Sequence, residues 1–216
     1  MGIRVELPAV KLATIEADGV RVQPSDADLA QLIHDTCELK RRESTLESLA
    51  EAEHVRAVRA MFRAWGMDPS KYRPSSEALL RRVVQGKGLY FISNIVDLVN
   101  LGSVETGWPY GCYDRAKLHP PIVLRHGAPG ESYERVGKEV WRLEGRPTLA
   151  DADGPFGSPI SDSVRTMITD SARDVLVVIY APATAPAAII EQAAQCVAGR
   201  LSVFGHATAT RAFLTE

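Results

Sequence analysis

The stretch Leu89-Tyr90-Phe91-Ile92-Ser93-Asn94-Ile95-Val96-Asp97-Leu98-Val99-Asn100-Leu101-Gly102-Ser103-Val104 decides the fold. It is nearly all apolar and reads as one buried helix. Its polar residues Asn94, Asp97 and Asn100 recur every third position and so share a helix face. A helix this apolar is covered on most sides, so that stripe needs hydrogen-bond partners or a wet cavity. Two readings stand: the stripe supports a small-ligand pocket, or Asn94 caps the backbone near Asp97 and the rest are satisfied core polars.

Upstream the patterns are helical. Ser25 and Asp26 suit a cap for a helix carrying Leu29, Leu32 and Ile33. A second helix carries Val55, Val58, Phe62 and Trp65 and ends at Gly66. A third starts near Ser75, buries Leu79, Leu80, Val83 and Val84, and stops at Gly86. Before them, Lys11 to Glu16 and Val20 to Gln23 flank Ala17-Asp18-Gly19 and read as a hairpin. Glu38 to Glu53 reads as a solvated charged surface.

Downstream of Gly107 the texture changes. Pro121 to Arg125, Glu139 to Leu143 and the continuous run Val175 to Tyr180 read as strands. Ala187 to Gly199 reads as a helix, and Leu201 to Phe204 as a last strand. Helices first and strands later favour α+β over a βαβ array.

Composition narrows the function classes. The chain has 216 residues, 45% hydrophobic and 24% charged, enough for a sizeable core. A net charge of −2 argues against a general polyanion binder, so any nucleic-acid contact is a local patch. Three cysteines, Cys37, Cys112 and Cys196, form neither a disulfide framework nor a metal spacing, which implies a reduced, cytoplasmic setting. The five histidines include no pair at a ligand spacing, so neither a metal nor another cofactor is expected. The N-terminus has no signal-peptide core, and Val175 to Ile190 is too short and too proline-broken to span a bilayer.

Two further segments hold candidate chemistry. Glu105-Thr106-Gly107-Trp108-Pro109-Tyr110-Gly111-Cys112-Tyr113-Asp114 has glycines that permit close backbone approach, at Gly107 and Gly111, and an aromatic wall including Tyr110. A packed loop with structural glycines is the alternative. Cys112 has no nearby cation in sequence to activate it and reads as an inert thiol. Gly154 to Thr166 gathers Ser158, Asp162, Ser163 and Arg165, groups that suit carboxylates or phosphates. A turn in which Asp162 and Ser163 bond local backbone is the alternative.

These pieces occur in an order that resembles one family. Asn94 to Asn100, then Glu105-x-Gly107-x-Pro109, then Tyr113-Asp114, is similar to the pocket segment of bacterial phenylalanyl-tRNA synthetase beta chains. There an Asp-x-Thr-Asn helix leads into Glu-x-Gly-x-Pro-x-His-Ala-Phe-Asp. Arg73 to Arg82 resembles the helix upstream, Ile122 to Arg125 with Gly130-Glu131 the next strand and turn, and Gly154 to Ile168 the glycine-rich pocket loop. Val99 stands where that motif has Thr, and Gly111 where it has His.

The resemblance covers residues 70–181 of a single domain, 1–216, between a hairpin-and-helix part at 1–69 and a C-terminal helix and strand at 182–216. It implies the B-three/B-four editing domain as a free-standing member: a helical N-terminal part on a β-sandwich-like mixed core. It also implies an aminoacyl-tRNA 3′ end or a free aromatic amino acid as partner, with no DNA and no membrane. On that reading the protein is a trans-acting editing factor that hydrolyses mischarged tRNA, and not an ATP-dependent ligase. Glu105 or Asp162 orients the water, while Asn94, Asp97, Asn100, Gly107, Tyr110, Gly111, Ser158, Ser163 and Arg165 form the binding set. Arg81, Arg82 and Lys87 either meet phosphates or are solvated helix surface. A non-catalytic binding module, or a hydrolase or transferase of another small amino-acid derivative, remains open. Residues 1–69 are free to cover the pocket or to make a homodimer surface.

Overall fold

A computed structural model describes residues 1–137 and 139–215. The chain opens on strands β1 (Ile3–Val5) and β2 (Val10–Asp18). Four helices follow: α1 (Ala27–Glu43), α2 (Leu46–Glu51), α3 (Glu53–Ala64) and α4 (Ser75–Val84). Helix α5 (Asn94–Thr106) leads into β3 (Tyr110–Asp114), β4 (Ile122–His126), β5 (Ser132–Glu134) and β6 (Val140–Arg142). Strands β7 (Pro147–Asp151), β8 (Gly154–Gly157) and β9 (Val175–Pro182), helix α6 (Ala187–Val203) and strand β10 (Ala209–Thr215) complete the order. The fold is α+β.

The strands form two four-stranded sheets, β10-β2-β9-β3 and β1-β4-β7-β8, with β5 and β6 as a separate pair. The first is antiparallel throughout, and the second is mixed because β1 runs parallel to β4. All eight residues of β9 are buried, as a continuous apolar run demands when a strand is covered on both faces. Helix α6 lies against β2 and β10, and α5 lies against β3. One apolar core joins Val177 and Ile179 of β9, Leu98 and Leu101 of α5, Val197 and Leu201 of α6, and Leu124, Leu149 and Phe156 of the second sheet.

Three expectations are corrected. The hairpin at residues 8–23 does not form: β2 is one long strand whose two edges are taken by β9 and β10. After Gly19, which turns at φ 65°, the chain leaves the sheet and Val20 N–H donates to Arg173 O. Helix α5 starts at Asn94, not Leu89, and Tyr90, Phe91 and Ile92 are exposed. Side chains stop the helix there: the Asp97 carboxylate accepts the Ile92 N–H at 2.9 Å, and Ser93 caps Val96 N–H. Leu201–Phe204 is the end and cap of α6, where Leu201 is buried with Val197 and Ala198 one turn before it. The last strand is Ala209–Thr215, alongside β2.

Asn94 anchors this arrangement. Its Oδ1 accepts the Gln23 N–H at 3.0 Å and the Ile95 N–H at 2.9 Å. Its Nδ2 donates to Arg21 O at 2.9 Å and to Phe204 O at 2.7 Å. One buried amide thereby joins the start of α5 to the segment after β2 and to the end of α6. We expect Asn94→Ala to leave these buried groups without partners and to cost roughly 3 kcal/mol of stability. Urea unfolding measures it, and a loss under about 1 kcal/mol would show that water replaces the amide.

Candidate active site

A cavity of about 440 Å³ opens between α5, the edge strand β3 and the loop that follows β8. Its walls are mostly apolar: Ile92 ahead of α5, Val96 and Val99 on α5, Val136 after β5, and Met167 and Ile168 on the loop. Tyr110 and Cys112 face it from β3. Its polar side chains besides these are Asn100 and Asp162.

Asp162 is held from the β3 side. The Tyr113 hydroxyl donates to its Oδ1 at 2.7 Å, and the Cys112 N–H to its Oδ2 at 3.4 Å. The Tyr180 hydroxyl lies 3.3 Å from that of Tyr113. No cation pairs with this carboxylate among the described residues. Burial pushes its pKa from the ordinary 3.8 to about 7, against the opposing pull of the Tyr113 and Cys112 bonds. Burial, and then the neighbouring carboxylate, push Tyr113 and Tyr180 well above the usual phenol range and raise the Cys112 thiol. Cys112 is therefore an inert wall.

The glycines explain how the phenol reaches Asp162. Gly111 and Tyr113 are two apart on β3 and so lie on one face. The Tyr113 ring passes over Gly111 and against Gly157 of β8, and a β-carbon at either position would overlap its hydroxyl. The ring meets Phe156 edge-on at 4.9 Å. Gly111 thus makes room for the Tyr113 ring.

The remaining sequence-predicted residues fall into two groups. Asn100 and Tyr110 line the cavity with Asp162. The others are structural. Asn94 is the anchor described above. Asp97 accepts from Ser25 Oγ at 2.6 Å as well as from Ile92 N–H, and burial raises its pKa against those bonds. Gly107 ends α5 in the left-handed conformation at φ 74°, with the His54 ring against it. Ser158 closes its own turn, accepting from the N–H groups of Ile160 and Ser161. Ser163 Oγ meets Thr166 Oγ1 at 3.4 Å, and Arg165 is bidentate to Asp151.

Glu105 is not among the residues lining the cavity. It forms a two-pronged ion pair with Arg200 of α6, at 2.5 and 2.7 Å. Of the apolar rim, Met167 and Ile168 fall at the end of the segment that resembles the glycine-rich pocket loop, whereas Val136 lies in no segment that the sequence reading singled out. Among the described residues no group of three or more His, Cys, Asp or Glu is arranged to hold a metal ion. No helix among them is long and apolar enough to cross a membrane.

A family model described as the B3/4 domain matches residues 57–197. The phenylalanine–tRNA ligase beta subunit of Thermobifida fusca is 31% identical over 114 residues, covering 52% of this chain and 13% of that one. The same subunit of Xanthomonas euvesicatoria pv. vesicatoria is 30% identical over 112 residues, covering 51% and 14%. The chain thus spans only a small fraction of the length of these curated relatives. A crystal structure of an N-terminal fragment of the phenylalanyl-tRNA synthetase beta-subunit from Pyrococcus horikoshii aligns at 15% identity with a TM-score of 0.45. That alignment covers 98% of this chain and 50% of that one.

The raised Asp162 pKa has a consequence for stability. Between pH 4 and about 7 the folded state holds a proton that the unfolded state has lost. Stability from this group is therefore full at low pH, falls as pH rises through about 7, and is level above it. We expect the unfolding free energy of the wild type, taken relative to Asp162→Asn, to fall between pH 5 and pH 8. Urea titrations at both values check this, and a difference that does not change with pH would mean Asp162 titrates normally.

Proposed function

This chain belongs to the B3/4 domain family, and from that premise we propose that it binds the 3′ end of an aminoacyl-tRNA and hydrolyses the ester carrying the amino acid. The observation behind this reading is a carboxylate that no cation pairs among the described residues, held by Tyr113 and the Cys112 N–H in the wall of a mostly apolar cavity, where burial pushes its pKa up to about 7. A volume of about 440 Å³ lies within the range of roughly 300–1,000 Å³ common for small-ligand sites. The walls suit an apolar or aromatic amino-acid side chain, and the curated relatives are phenylalanine–tRNA ligase subunits.

The chemistry follows from Asp162. Ionised, it takes a proton from a water molecule as the water oxygen attacks the ester carbonyl. A new C–O bond forms, the ester C–O bond breaks, and the proton passes from Asp162 to the departing ribose oxygen. The Tyr113 and Cys112 donors hold the carboxylate in place, each on a different oxygen, which leaves lone pairs for the water. An aminoacyl ester is already reactive, so one positioned base in a water-poor cavity is enough help. Glu105 has no part in this step, because Arg200 holds it outside the cavity.

A binding module without turnover is the second reading. It is favoured by Val99, whose side chain gives the cavity no hydrogen-bond donor. The two readings separate in a deacylation assay on a panel of aminoacyl-tRNAs that includes tyrosine on the phenylalanine tRNA. We expect ester loss above the buffer rate, rising with pH through about 7 as Asp162 ionises. Asp162→Asn should remove that pH limb and lower the rate by about 10²–10⁴-fold. Glu105→Ala should keep the rate. Tight binding with no ester loss would establish the second reading, and an unimpaired Asp162→Asn would remove Asp162 from the mechanism.

A further inference from the structure

A second groove, of about 460 Å³, runs along α4 and meets the Asp162 cavity at Asn100, which lines both. The lining of this groove contains no acidic residue and presents Arg81, Arg82 and Lys87. None of these three is in an ion pair among the described residues. The only acid on α4, Glu77, is buried and bidentate to Arg59 at 2.7 and 2.8 Å, with Arg73 at 3.6 Å. The Arg82 guanidinium stacks 3.9 Å over the Tyr90 ring, which remains 52% exposed. The Arg82 Nε and the Ser75 Oγ, another group of this groove, are buried without a hydrogen-bond partner.

Basic residues in the last turn of a helix ordinarily complement its dipole, and that accounts for Arg81 and Arg82 by themselves. It does not account for Lys87, which lies beyond the helix, for the stacked and exposed Tyr90, or for two unpartnered buried polar atoms. On a chain with a net charge of −2, this concentration of uncompensated donors is local. Cations tracking beside an exposed aromatic ring match the chemistry of a single nucleic-acid strand, phosphates on the cations and a base on the ring.

We infer that the α4 groove binds the phosphodiester backbone of the RNA strand whose terminal ester enters the Asp162 cavity. The inference rests on the aminoacyl-tRNA reading and adds the path of the strand. Asn100 marks where the strand passes from groove to cavity, and Tyr90 is the stacking platform beside the phosphates.

The test uses the full chain, an Arg81→Ala/Lys87→Ala double variant and a Tyr90→Ala variant, each with its unfolding midpoint measured. Two esters of the same amino acid are compared: aminoacyl-tRNA and 3′-aminoacyl adenosine, which has no phosphate. We expect both variants to lose on the order of tenfold in kcat/KM on the tRNA ester and to match wild type on the adenosine ester. Anisotropy with uncharged tRNA should show the double variant binding more weakly, with a log Kd against log salt slope flatter by about 1.4. Equal losses on both esters, or none on either, would overturn the groove while leaving the cavity reading intact. If wild type cleaves neither ester, the hydrolytic reading fails, and the anisotropy slope still decides the groove. An unchanged slope and affinity would overturn it.

Discussion

The Tyr113 hydroxyl lies 2.7 Å from Asp162, and this contact holds together parts of the chain that nothing local connects. Tyr113 belongs to the edge strand of one sheet, Phe156 and Gly157 to the edge strand of the other, and Asp162 to the loop beyond it. Closing the phenol between Gly111 and Gly157 brings β3 and β8 into contact. It also fixes the height at which the carboxylate meets the cavity. The sandwich and the candidate site therefore share one constraint. The hydroxyl of Tyr113 occupies the space that a side chain at 111 would fill, so the glycine and the phenol belong together.

Much of the helical framework was legible in the sequence because its signals are local. Val55, Val58 and Phe62 recur at helical spacing, Asp26 caps α1, and Gly86, at φ 75°, follows the end of α4. The run from Val175 declared a covered strand for the same reason. What escaped is what depends on distant partners. Val10–Asp18 looked like half of a hairpin because its neighbours, β9 and β10, lie more than 150 residues away. Residues 89–92 looked helical because their apolarity gives no sign that Asp97 accepts the Ile92 N–H and stops the helix.

The site divides along the same line. Asp162, Asn100 and Tyr110 were readable as candidates from residue type and company, and they meet at the cavity. Glu105 sits in the most recognisable motif of the chain, yet its carboxylate is committed to Arg200, ninety-five residues later. The polar stripe on α5 turned out to be mixed. Asn94 and Asp97 secure the entry to the helix, whereas Asn100, one turn further on, reaches the junction of cavity and groove. Periodicity places residues on one face of a helix but does not say which end of that face is buried in protein.

Holding Asp162 in a mostly apolar wall without a cation works against stability at neutral pH, because its ionised form loses hydration that the Tyr113 hydroxyl and the Cys112 N–H only partly replace. A neutral Asn would still accept the Tyr113 hydrogen bond through its one oxygen, without the cost of a charge but with its amide nitrogen turned to the Cys112 N–H. The Tyr113 tie between the sheets therefore does not require a negative charge. What a carboxylate adds is a group that exchanges a proton near pH 7 inside an apolar cavity, and none of the structural contacts made by Tyr113 or Cys112 uses that property. A proton acceptor placed where it weakens the fold, facing space of ligand size, is the pattern expected when chemistry rather than packing sets the residue.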